Sequence, residues 1–146
     1  MTHSVLLVLN ENFDDMMFLT SQVVLEENDC DVIICSDESK TVKGETSSVM
    51  TVSLENALKQ DVEYDAIVVV GGNNLTNWDL LKQTVGEFHN KGKLVATISE
   101  MMPLLSSTNA SLTNSSDSFV YNDGILILND LSKCEEFVDE VAKKLQ

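Results

Sequence analysis

Arginine is absent. All nine basic residues of this 146-residue chain are lysines, set against 24 acids for a formal charge of -15. Without the planar guanidinium fork that holds phosphates in pairs of hydrogen bonds, a nucleic-acid partner is not expected. The acidity itself reads as a solvated, soluble surface rather than a dedicated cation site. Histidine is scarce, with only His3 and His89. The three cysteines, Cys30, Cys35 and Cys134, form no Cys-x-x-Cys pair and have no histidine cluster beside them. Neither a metal site nor a disulfide framework is expected, and small buried hydrophobes in a reducing compartment are the simpler reading. Long apolar runs are missing too. The stretch Ala66 to Val70 is far too short to cross a bilayer, and no basic, apolar leader opens the chain, so the expectation is a cytoplasmic protein with no membrane partner.

What is present is an alternation of buried strands and amphipathic helices. Ser4 to Leu9 is a continuous apolar run of the kind buried on both faces of a parallel sheet. Phe13, Met17, Thr20 and Val24 follow at helical spacing, with Met16, Val23 and Leu25 widening the stripe and Asp14 and Asp15 in the first turn. Asp31 to Cys35 completes a βαβ unit. A polar stretch from Ser36 to Val52 predicts a loop with a short strand or hairpin. Tyr64 to Val70 predicts a central strand, ended by Gly71 and Gly72. Thr76 with Asp79 resembles a capping box for a helix through Phe88, closed by Gly92. Phe119 to Asn129, with Asp123-Gly124 at its centre, predicts a hairpin, and Ser132 with Glu135 predicts a capped last helix. The order argues for one α/β domain over residues 1–146, a three-layer sandwich with a mostly parallel sheet.

The chain is organised around Lys93 to Leu105. An apolar strand stops at Ser99 and Glu100, and a short helix over Met101 to Leu105 begins at once. A strand-to-helix elbow of this kind projects a side chain at the carboxyl end of the sheet, where open α/β folds place ligands and nucleophiles. The Gly71-Gly72 pair ends the neighbouring central strand, and its N–H groups, with that of the residue after Ser99, suit an anion or carbonyl oxygen. Met101 and Met102, like Met16 and Met17, flank this region, as core filling or as a soft binding surface. Trp78, just beyond the glycines, reads as a pocket wall or a dimer anchor.

The blocks VLLVLNENFDDMMF, LEENDCDVIICSD, YDAIVVVGG, EFHNKGKLVATIS and NDGILILND, in that order, resemble the ThiJ/PfpI superfamily. The resemblance covers nearly the whole chain apart from Ser106 to Ser118. It implies the glutamine-amidotransferase-like, flavodoxin-like fold, with helices on both faces of the sheet and a C-terminal hairpin, and it implies a homodimer. Members with known chemistry include intracellular protease I-like enzymes, glyoxalases and the parkinsonism-associated deglycase. They carry a cysteine at the elbow, usually followed by histidine, and a supporting glutamate in the first loop. Laid on those blocks, Ser99 takes the cysteine position, Glu100 the histidine position and Asp14 the glutamate position, while Gly71 and Gly72 match the paired glycines. The connection from Glu100 to Ser118, which helps wall the pocket, is shorter than in typical catalytic members.

Three departures at once decide the expected chemistry. A thiolate is available near neutral pH at such an elbow, whereas a serine hydroxyl needs an adjacent base. Asp14 and Glu100 are the candidates, yet a carboxylate of ordinary pKa, about 4, is a weak base for an alcohol. Neither histidine is expected at the elbow: His3 reads as a solvated terminus and His89 as a polar residue on a helix surface. The expectation is a homodimer without the cysteine-dependent activity, binding a small molecule or a protein and needing no cofactor or metal. The alternative is a serine hydrolase (peptidase, esterase or glyoxalase-like) built on Ser99, with Asp14 or Glu100 as base. A transfer of catalysis to Cys35 is the least favoured reading.

Overall fold

The computed structural model describes residues 2–73, 75, 78–108 and 117–146. The first apolar run becomes β1 (His3–Leu9), in which Val5 to Leu9 are fully buried. A strand apolar on both sides requires neighbours at both edges and cover on both faces. β1 accordingly pairs in parallel with β2 (Cys30–Ser36) and with β5 (Ala66–Gly71), placing Leu6 level with Ile33 and Ile67. Outward from these, β4 (Ser48–Ser53) joins β2, β6 (Leu94–Ile98) joins β5, and β8 (Ile125–Leu128) joins β6, all in parallel. The short strands β3 (Lys40–Lys43) and β7 (Phe119–Asn122) close the two edges antiparallel. The sheet order is β3-β4-β2-β1-β5-β6-β8-β7.

Helix α1 (Asp15–Glu27) returns the chain from β1 to β2, and α3 (Asp79–Asn90) returns it from β5 to β6. These crossovers run in opposite directions across the sheet, so right-handedness puts the two helices on opposite faces. On one face α4 (Cys134–Leu145) packs beside α1; on the other a 3-10 helix, Ser99–Ser107, packs beside α3. The short α2 (Leu54–Lys59), capped by the Ser53 hydroxyl, follows β4. The three-layer α/β architecture is the expected one.

Local structure departs from the sequence reading in several places. Phe13 precedes α1 rather than belonging to it, and bridges to Gly44. The helix buries Met17, Phe18, Ser21, Val24 and Leu25, leaving Met16 and Val23 exposed, so the buried stripe is narrower than the pattern suggested. The Ser132–Glu135 capping box does not form. The Asp130 carboxylate takes both the Ser132 N–H and its hydroxyl, making a short 3-10 turn over Leu131–Lys133, and α4 starts at Cys134 without a side-chain cap. A carboxylate two residues upstream is the stronger acceptor for that amide. Thr76, half of the other expected capping box, lies outside the described residues, and Trp78 occupies the N-cap of α3 with no side-chain hydrogen bond. The hairpin turn is as expected: Asp123 and Gly124 have φ of 53° and 81°, the left-handed pair that a type I′ turn requires. His89 is not a surface group; its side chain is largely buried and its Nε2 lies 2.8 Å from the Asp123 carbonyl oxygen, pinning α3 to that turn.

Candidate functional site

β1 leads away to β2 on one side while β5 leads away to β6 on the other, so the chain diverges between the carboxyl ends of β1 and β5. Open α/β sheets bind ligands in the crevice at such a point. One wall is built by the residues just after β1 and β5. Pairing between these strands slips after Val8–Val69, so that Leu9 lies opposite Gly71, and the irregularity re-aims the end of β5. Gly71 and Gly72 both take positive φ, 118° and 121°. A Cβ on Gly72 would sit 2.6 Å from the Asn10 carbonyl oxygen, so only glycine allows this approach of two backbones. The contact is stitched by hydrogen bonds from Asn10 N to Gly71 O, from Asn73 N to Glu11 O and from Asn10 Nδ2 to Asn73 O. Asn10 is 5% exposed, and its Oδ1 has no hydrogen-bond partner among the described residues. A buried acceptor of that kind takes its donor from ordered water or from a ligand.

The other wall carries Ser99. Val69 is level with Thr97 across β5 and β6, which brings Ser99 level with Gly71, and Ile98 reaches within 3.2 Å of where a Gly71 Cβ would be. Ser99 thus stands at the carboxyl edge of the sheet, directly after β6. Its backbone is not that of a nucleophile elbow. Among the described residues, the non-glycine residues with positive φ are Asn12, Asp29 and Asp123, and Ser99 simply opens the 3-10 helix after an extended Ile98. The expected helix over Met101 to Leu105 is this longer 3-10 segment. Met101 packs into the apolar core rather than offering a soft surface to the crevice, and so does Met17.

The two carboxylates have other employment. Asp14 is the N-cap of α1, its Oδ1 accepting from Met17 N at 2.8 Å. Glu100 is exposed in the first turn of the 3-10 helix, where an anion suits the open N–H groups. Among the described residues no hydrogen bond joins Ser99 to Asp14, to Glu100 or to any other base. Asp15 is the better-partnered acid: the hydroxyls of Thr46 and Ser47 and the Thr46 N–H all donate to it. These bonds, the Thr46 hydroxyl first, hold its carboxyl below the usual range, and they clamp the β3–β4 connection onto the start of α1. Gly44 completes that clamp, because a Cβ there would meet Asp15 Oδ1 at 2.1 Å.

The cysteines are no better suited as nucleophiles. Cys30, Cys35 and Cys134 are free and buried, burial pushes the Cys35 thiol far up, and burial with the nearby charges of Asp65, Asp29 and Asp31 raises Cys30. Reactive cysteines require the opposite shift. His3 pairs with Asp65 at the amino-terminal end of the sheet, and His89 is tied to the hairpin, so neither imidazole is placed at Ser99. Among the described residues no group of three or more His, Cys, Asp or Glu is arranged to hold a metal, and no helix is long and apolar enough to cross a membrane. Asn10 and Asn73 are the site residues that sequence reasoning passed over. The signal was there in Asn10, a polar residue set abruptly at the end of a fully apolar strand.

Residues 3–120 match the DJ-1/PfpI family. The fold is shared with the ThiJ/PfpI domain protein of Brachyspira murdochii (22% identity, TM-score 0.84, covering 99% of this chain and 96% of that one). It is shared also with Drosophila melanogaster DJ-1beta (18%, 0.87, 99% and 91%) and with oxidised Toxoplasma gondii DJ-1 (17%, 0.78, 98% and 95%). At these identities the likeness is one of fold. No curated protein matches the chain.

Proposed function

Because the chain belongs to the DJ-1/PfpI family, we propose that it keeps the crevice as a ligand-binding scaffold, has lost the cysteine-dependent chemistry, and works as a homodimer that binds a small molecule or a protein. One observation carries this reading: the residue at the nucleophile position is a serine on relaxed backbone, with no hydrogen bond to a base among the described residues. Removing a hydroxyl proton during attack needs such a base, and strained backbone is what presents a nucleophile at an elbow. The glycine wall, by contrast, keeps backbone geometry that a side chain would destroy. Gly71 and Gly72, with the N–H of Glu100, remain the groups offered to an anion or carbonyl oxygen.

The test is turnover. Methylglyoxal, glycated amines, peptides and simple esters should be left unchanged by the purified chain. Hydrolysis or isomerisation of any of them that disappears in Ser99→Ala would overturn the reading. Dimerisation draws support from α1, where Met16, Leu19 and Val23 are 65%, 45% and 52% exposed at helical spacing. Such a strip on a soluble surface favours a partner. A dimer by sedimentation velocity that dissociates in the Leu19→Lys, Val23→Lys double variant is the expected result; a monomer in the unsubstituted chain would contradict it.

A further inference from the structure

A second concavity opens on the same carboxyl edge of the sheet, between the ends of β2 and β4 and the start of α3. It has a volume of about 200 Å³ and is lined by Asp37, Leu54, Trp78, Asp79 and Leu80. Asp37 follows β2, Leu54 follows β4, and Trp78 and Asp79 start α3, so two different strand ends and a helix start contribute to it. Trp78 is half-buried against the core and Leu80 is 41% exposed, which gives the cavity an apolar floor and an open lip.

Two carboxylates border this apolar surface. Asp37 is already paired, with Lys40 Nζ 2.6 Å from its Oδ1. Asp79 makes no ion pair or hydrogen bond among the described residues. An indole beside an unpaired carboxylate is the combination that recognises an organic cation, since the ring face attracts the positive charge and the carboxylate supplies its counter-ion. The whole chain adds to this through its formal charge of -15, which repels anions and concentrates cations.

We propose that this cavity is a binding site for a small organic cation, an ammonium group on an apolar or aromatic body. The body packs on Leu54, Leu80 and the indole, and the ammonium lies against Asp79. The site is separate from the Ser99 crevice and stands whether or not that crevice binds anything.

Trp78 is the sole tryptophan of the chain, so its emission reports directly on the cavity. The full chain is titrated with 2-phenylethylammonium, 2-phenylethanol and 3-phenylpropionate at low salt, with amide shifts at Leu54 and Leu80 locating the response. The ammonium should give a saturable change in emission at an affinity about fivefold tighter than the alcohol, and the anion none. Asp79→Asn should bring the ammonium down to the alcohol's affinity while leaving the alcohol unchanged. Ser99→Ala should alter neither, which keeps failure here distinguishable from failure of the crevice reading. No saturable response to the ammonium overturns the proposal, as does equal affinity for ammonium and alcohol with no effect of Asp79→Asn.

Discussion

On the glycine wall of the crevice, Gly72 holds a φ of 121° and leaves no room for a Cβ against Asn10, whereas on the facing wall Ser99 begins an ordinary 3-10 turn whose hydroxyl bonds to no described residue. The two walls border one candidate site, yet only one of them is tightly specified. Backbone geometry is enforced by packing across β1 and β5, so it survives changes in side chains. The chemistry at Ser99 would depend on side chains that can change singly without disturbing the fold, and Ser99, Glu100 and Asp14 stand where the resemblance implies cysteine, histidine and glutamate.

The sharpest way to break this contrast is Gly72→Ala. A side chain there meets the Asn10 backbone and forces an unfavourable φ, and the expected loss is about 3 kcal/mol, read from chemical denaturation. A loss below about 0.5 kcal/mol would mean that the glycine wall is as relaxed as the serine wall. Next in size is Asp14→Ala, which removes the N-cap of α1 and should cost about 1 kcal/mol, while Asp14→Asn, still able to cap, should cost only a few tenths. A much larger loss in Asp14→Asn would show the charge itself at work.

Asp15 extends the comparison to pH. Its folded pKa lies below the unfolded value, so its stabilising contribution is fully present above the unfolded pKa, about 4, and is lost as the pH falls through the folded value. Acid unfolding should therefore be less steep in Asp15→Asn than in the unsubstituted chain below about pH 4; identical profiles would deny the Thr46–Ser47 clamp a role. The smallest effect belongs to Ser99→Ala, expected within about 0.5 kcal/mol of the unsubstituted chain.

The strands and the order of elements were legible because a buried parallel strand demands an unbroken apolar run, as in Ser4 to Leu9 and Ala66 to Val70. The carboxyl edge that carries the candidate site was legible for the same reason, since Asn10, Gly71 and Ser99 each stand at the end of such a run. Helix starts were not. Whether Asp130 or Ser132 captures an amide, or whether Asp14 caps a helix or merely sits in its first turn, depends on differences of one residue that hydrophobic pattern does not encode. The exposure of Met16 and Val23 was hidden too, because an apolar residue at helical spacing reads as part of the buried stripe whether or not its face is covered. Nor does composition distinguish a strained Ser99 from a relaxed one; only the path of the backbone into the 3-10 helix does.

The claim that the crevice outlived its chemistry is tested most directly by treating the folded chain with a serine-directed fluorophosphonate and mapping adducts by mass spectrometry. The account predicts no adduct on Ser99. A stoichiometric adduct on Ser99, absent from Ser99→Ala and from the denatured chain, would contradict it and assign the site to a working serine nucleophile.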